Sequence, residues 1–410
     1  PLTKAIELGK IEVVKQILVE LKQRKQGFIS KFLGWKGDFE KALYNSRVVV
    51  LAASRDDPKM LSVVLDEIDA FAKENNKPNL LFDACFNEFD ILIEHNKYRC
   101  CKVILDRLAK HKNFKNHLQG YRNRHSCSYL ALSCKVGSGE IFEALLSAME
   151  LDQDSLLKIC SEHMSRNNIL HILAQTECDK SVLKSLLSRI EDVNKVKLAN
   201  LCQRGVPYSA RFYILQDPEK AAILLDCFKD NNEALYTLLS GIDFDELVNN
   251  YPKSFAAIVK SLKTNEAVLN SVLTRVAFDR HAEFRANKIE VILGELKDAT
   301  DVFEKVLARF DANRLLTYPS CERALKVILG FISDNEFLLR KFLFVHVGNN
   351  NFQSRIAKLI DEGRKISDAV LDAVFTSVLK HEDMLFDVLD NQHLLLALLA
   401  GKDKAAQVIK

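Results

Sequence analysis

Residues 128–146, SYLALSCKVGSGEIFEALL, decide the fold. Small and apolar residues run for about two turns, Gly137 interrupts them, and paired apolar residues resume at once with Ile141-Phe142 and Leu145-Leu146. Spacings of three and four residues mark one face of a helix. A helix of two turns is not stable alone in water. The first helix must therefore bury its apolar side against something else.

Self-comparison shows what that is. With Ala5 of PLTKAIELGKIEVVKQIL as reference, the pattern recurs at Ala52, Leu92, Ser133 and Leu173, in steps of 47, 40, 41 and 40 residues. Each unit has a short helix, a polar or glycine-containing break, and a second helix with apolar residues near positions 8, 12 and 13 after the reference. Neither helix buries its face alone, so neighbouring units stack.

These residues resemble the ankyrin repeats, whose signature is T-P-L-H-x-A, a glycine turn, and an outer helix ending in paired leucines. Pro1, Leu2, Ala5, Gly9, Val13, Val14 and Leu18 fit the first repeat; Leu170, His171, Leu186 and Leu187 fit the fifth, with Leu173 and Ala174 at the small pair. The resemblance covers residues 1–205 and implies about five repeats. Threonine-proline is missing from repeats two to five, and every step exceeds the family's roughly 33 residues. Lengthened outer helices or loops are expected, most of all between Leu18 and Ala52.

Beyond residue 205 the signature fades while the helical pairing continues, as in DPEKAAILLDCF (217–228) and CERALKVILGFI (321–332). Asp217-Pro218 and Tyr251-Pro252 read as helix starts. Residues 206–410 are expected to be degenerate helical repeats or an α-helical continuation. The fold class is all-α: an elongated α-solenoid of stacked helix pairs, ankyrin-like in its N-terminal half.

Composition agrees. The 410 residues are 48% hydrophobic and 28% charged, enough apolar material for a folded core, and Gly (14) and Pro (7) are scarce. The longest apolar runs fall far short of the roughly 18 residues of a membrane span, and no secretory leader pattern opens the sequence. Pro1-Leu2 falls inside a repeat and Lys410 follows a fresh helical start, so the chain reads as a fragment of a longer protein. Ten scattered cysteines at mostly apolar positions suit packing rather than disulfides. An intracellular, reducing compartment is expected.

Motifs for chemistry are weak. His125, Cys127, Cys134 and Cys100-Cys101 supply soft ligands, but not at the spacing of a zinc knuckle. HEDML at 381 lacks the second histidine of a zinc protease, and KVGSGE at 135 lacks the ending of a phosphate loop. No cofactor is expected. The best nucleophile is Cys202 in NLCQRGVPYSA, read as an exposed loop cysteine with His163 or His171 upstream as base. In the resemblance, His171 is instead the signature histidine that ties the turn together.

Charge is more informative. Residues 1–205 carry net +6 and residues 206–410 net −3. Within 97–125, nine Lys/Arg, among them Lys110, Lys112, Lys115, Arg122 and Arg124, face Asp106 alone. The segment is either a solvated outer face or an electrostatic footprint for an acidic protein, a phosphoinositide or nucleic acid. A second basic stretch, 21–37, carries Trp35 among Phe and Ile, and suits core packing, partner docking or a membrane interface. Arg47, Arg122, Arg124, Arg166 and Arg204 all fall shortly before inner helices, where ankyrin stacks project finger loops; they read either as a ladder along one edge or as a chance scatter of surface arginines.

The function these readings favour is a protein–protein interaction scaffold that holds an acidic partner by its concave face and fingers. The lengthened repeats are similar in style to effectors that intracellular bacteria deliver into host cells, which implies a host protein target in the host cytoplasm. The first alternative is an enzyme, either a cysteine-dependent hydrolase or one whose activity lies in a missing segment. The second is a direct binder of anionic membrane or nucleic acid through 97–125; for single strands, only Tyr98, Phe114 and Tyr121 offer stacking there.

Overall fold

The computed structural model describes residues 2–23, 47–121, 127–161, 169–175, 180–203, 209–346, 352–381 and 383–384. They are all-α, short helices packed on one another within each of two units; besides the 3-10 turns Asp192–Asn194 and Pro319–Cys321, the described residues hold a two-stranded hairpin in which Phe344–His346 pairs antiparallel with Phe352–Ser354. The chain divides into two compact units, Pro1–Tyr213 and Ile214–Lys410.

The opening stretch folds as its residues dictate. Helix Tyr129–Val136 starts at Ser128, whose hydroxyl accepts from the Ala131 N–H at 3.3 Å. It stops at Gly137, which adopts φ 79°, and the Gly137 and Ser138 N–H groups close onto Cys134 and Ser133 carbonyls at 3.0 Å. That left-handed cap is costly for any residue with a Cβ. Ser138 caps the next helix, Gly139–Met149, at once. Ile141, Phe142, Leu145 and Leu146 are buried, as their spacing requires.

In the first unit, first helices Val48–Ala53, Phe89–Glu94, Tyr129–Val136 and Ile169–Gln175 pack each on the next, and so do second helices Pro58–Glu74, Tyr98–Leu108, Gly139–Met149 and Lys180–Ser188. The sequence predicts pairs; each repeat adds a third short helix, namely Leu80–Phe86, Phe114–Gly120, Gln153–Ser161 and Lys195–Gln203. The first pair, Leu2–Glu7 and Ile11–Gln23, turns over Gly9 at φ 70°.

The second unit repeats more regularly than its sequence suggests. First helices begin at Pro218, Pro252, Ala286 and Glu322, second helices at Asn232, Glu266, Thr300 and Glu336, in steps of 34, 34 and 36 residues. Third helices Phe244–Asn250, Phe278–Phe284 and Ala312–Thr317 follow at steps of 34. Asp217 caps Pro218–Phe228, and Asn231, Asn265 and Asn335 cap three of the four second helices through their side chains. Equivalent core positions hold different apolar residues: Ala221, Phe255, Ile289 and Leu325 are all buried. Stacked first helices, continued by Asp368–Val378, form the spine.

Polar bonds fix the step between repeats. The Asp245 carboxylate accepts from the Ala277 N–H at 2.9 Å and from the buried His281 ring at 3.0 Å; Asp279, at the same register, accepts from the Asp311 N–H at 2.9 Å. Removing one partner of such a bond leaves a donor without its acceptor. Asp245→Ala is expected to lower the unfolding free energy by about 1–3 kcal/mol, read as a fall in the urea midpoint. An unchanged midpoint would show that apolar stacking alone sets the step.

Candidate functional site

The basic segment is positioned by helix Tyr98–Leu108, which buries Cys100, Cys101, Ile104, Leu105 and Leu108 and leaves Arg99 and Lys102 exposed. After Leu108 the chain tightens: the His111 N–H bonds the Leu108 carbonyl at 2.8 Å, and Phe114 N–H bonds the His111 carbonyl at 3.0 Å. The His111 ring lies flat on Phe82 of the preceding repeat, with centroids 4.4 Å apart and planes at 22°, while its Nδ1 accepts from the Asn113 N–H at 3.3 Å. The turn is thus clamped at its centre. Lys110 and Lys112 flank the clamped ring, both exposed.

The clamp rests on a wider aromatic cluster. Phe86 contacts the His117 ring at 4.4 Å, the Tyr129 hydroxyl meets His117 Nε2 at 3.4 Å, and Tyr121 stacks on Tyr129 at 3.8 Å with the planes 2° apart. Tyr121 donates its hydroxyl proton to Asp90 Oδ2 at 2.7 Å. Burial holds the His117 pKa below its ordinary value, against a weaker opposing pull from Asp83, and pushes the Tyr129 phenol up. Rings packed in this way support the surface above them.

Other predicted cations are partly neutralised. Arg107 Nη1 pairs with Asp66 at 2.7 Å, Lys115 with Glu150, and Arg47 Nε with Glu88 at 2.9 Å. Arg47 is exposed, has φ 47°, and immediately precedes helix Val48–Ala53. Arg122, Arg124, Arg166, Arg204 and Trp35 lie outside the described residues. The structure therefore brings Lys110, Lys112 and Lys115 together on one turn and its following helix, and places Arg47 at a different loop. His111 was not singled out by sequence, because its role depends on Phe82 in another repeat.

The proposed nucleophile is corrected. Cys202 is buried within helix Lys195–Gln203, not exposed in a loop, because one further helical turn carries it into the core; His171 is buried in helix Ile169–Gln175. Burial pushes the thiols of Cys85, Cys100 and Cys160 up to about 12, away from the reactive thiolate. Among the described residues, no group of three or more metal-ligating side chains is assembled, and no helix is long and apolar enough to cross a membrane.

Comparison with protein-family models, curated proteins and solved structures finds no match. Fold and surface define the class directly: an all-α chain of stacked three-helix repeats with a clamped basic turn.

Thiol accessibility follows from the packing. Cys127 and Cys227 are partly exposed, whereas Cys85, Cys100, Cys101, Cys134, Cys160, Cys202 and Cys321 are buried. Alkylation of the native chain, mapped by mass spectrometry, is expected to label Cys127 and Cys227 before any of these seven. Preferential labelling of Cys202 would contradict the burial and revive cysteine catalysis.

Proposed function

We propose that the chain is a protein-binding repeat scaffold that engages an acidic partner surface at the turn around Lys110 and Lys112. One observation carries this reading: two exposed lysines, neither in an ion pair among the described residues, flank a ring clamped by stacking. Holding the turn fixed in advance lowers the ordering cost of binding. Exposed lysines steer encounter with an acidic surface and suppress basic partners, with a reach of about 8 Å at physiological salt. The ankyrin resemblance supports the same class, since stacked repeats present extended binding surfaces.

Charge reversal tests this. The double variant Lys110→Glu, Lys112→Glu is expected to keep its helical circular dichroism, because exposed charges contribute little to stability. Its capture of crosslinked cytosolic protein should fall several-fold relative to the parent. Unchanged capture would remove the turn from the binding surface. Parent binding to nucleic acid that collapses log-linearly with salt, or flotation with anionic liposomes, would replace the protein partner with one of those ligands.

A further inference from the structure

In the second unit, an arginine closes the groove between successive second helices. Arg275, in the turn after helix Glu266–Leu273, reaches back to the preceding repeat: Nη1 donates to the Leu239 carbonyl at 3.0 Å, Nη2 to the Ile242 carbonyl, and the guanidinium lies 4.7 Å over the Phe244 ring. Arg309, one step of 34 residues later, donates from Nη2 to Asn270 Oδ1 at 3.2 Å. Both arginines sit in four-residue turns, 274–277 and 308–311.

The fourth repeat breaks this rule. Its second helix, Glu336–Leu343, is joined to the following helix, Arg355–Asp361, by eleven residues that include the hairpin. Val345 stands at the register of Arg275 and Arg309, so no arginine of that register is available to reach back. A cavity of about 210 Å³ lies at this position between the third and fourth repeats. Leu307, Phe310, Ala312, Leu338 and Phe342 give it an apolar wall, and Ala312 is the truncated counterpart of Phe244 and Phe278.

Charge at the cavity decides what it takes. Glu304 and Lys341, both lining it, pair with each other at 3.2 Å. Arg355, at the first position of its helix where Phe244, Phe278 and Ala312 stand in theirs, donates Nε to the Phe342 carbonyl at 2.9 Å; among the described residues its two Nη groups make no hydrogen bond. Asp311 is the nearby carboxylate, but it caps helix Ala312–Thr317 by accepting from the Asn313 and Arg314 N–H groups. Among the described residues, one half-buried guanidinium is left with both Nη groups open. Such a planar fork matches a carboxylate.

We infer that this cavity receives the apolar C-terminal residue of a partner polypeptide, with its side chain against Phe310 and Phe342 and its terminal carboxylate on Arg355. Size favours a peptide end over a whole small molecule: ligand pockets are typically about 300–1,000 Å³, whereas 210 Å³ suits a single side chain with the rest of the chain outside. This site is separate from the basic turn of the first unit.

The probe is N-acetyl-Gly-Gly-Leu, compared as free acid and as C-terminal amide, titrated to millimolar concentration into the full chain. Methyl NMR of Ala308 and Ala312 reports occupancy. The acid is expected to shift these methyls, and the amide to bind at least tenfold more weakly. Arg355→Gln should weaken the acid at least tenfold, with Arg355→Lys recovering part of the loss. Ala312→Phe, which restores the ring of the two preceding repeats, should fill the cavity and abolish binding without lowering the unfolding midpoint. For that variant, the Ala308 methyl alone is read. Lys110→Glu with Lys112→Glu should bind like the parent, which separates failure here from failure of the proposed function. Equal binding of acid and amide, no methyl shift at millimolar acid, or unchanged binding in Arg355→Gln would overturn the assignment. Octanoate shifting these methyls where the tripeptide does not would overturn the peptide occupant in favour of a free acyl carboxylate.

Discussion

Among the described residues, most helices run six to eleven residues, below the length at which an isolated helix holds together in water. Each has an apolar stripe that its own repeat covers only in part, and the next repeat covers the remainder. The contacts between stacked first helices, Pro218–Phe228 through Asp368–Val378, therefore carry most of the second unit's cohesion. Burial of Leu224, Ile258, Ile292 and Ile328 along that spine is worth about 1.5–3 kcal/mol per side chain. The exposed ion pairs that decorate it, such as Lys253 with Glu295, contribute far less. Since cohesion lies in the spine, turns and helix ends are available for recognition.

Stacking also explains which parts of the fold were legible. The helix–break–helix pattern around Gly137 could be read, because a left-handed cap between two apolar periods leaves a mark in the sequence. Third helices such as Leu80–Phe86 and Phe114–Gly120 are as short as the first helices but lie outside the helix–break–helix pattern that marks those in the sequence. In the second unit the 34-residue step is carried by caps, Asn231, Asn265 and Asn335, and by Asp245 and Asp279, while core positions exchange one apolar residue for another. A search for the ankyrin signature passes over such a pattern. Cys202 was misplaced because Gly205 and Pro207 advertise a loop, while the helix before them extends to Gln203.

The two surface features arise in opposite ways. At Lys110 and Lys112 the repeat is reinforced: His111 stacks on Phe82 and the turn gains a clamp. At Arg355 the repeat is interrupted: a hairpin displaces the turn that would have supplied an arginine, and Ala312 replaces a ring. Neither feature could be derived from local sequence, since each depends on residues from adjacent repeats. Of the cations singled out by sequence, Lys115 and Arg47 are tied into ion pairs, so net charge overstates what the surface presents.

Nearest-neighbour stacking is tested most directly by hydrogen exchange on Ile292→Ala, which opens a cavity in helix Ala286–Leu296 at a cost of about 2–5 kcal/mol. Amides of the flanking helices Pro252–Ser261 and Glu322–Ile332 should then lose protection strongly, and those of Pro218–Phe228, one repeat further away, less so. Loss confined to Ala286–Leu296, or equal loss in every helix of the unit, would contradict it.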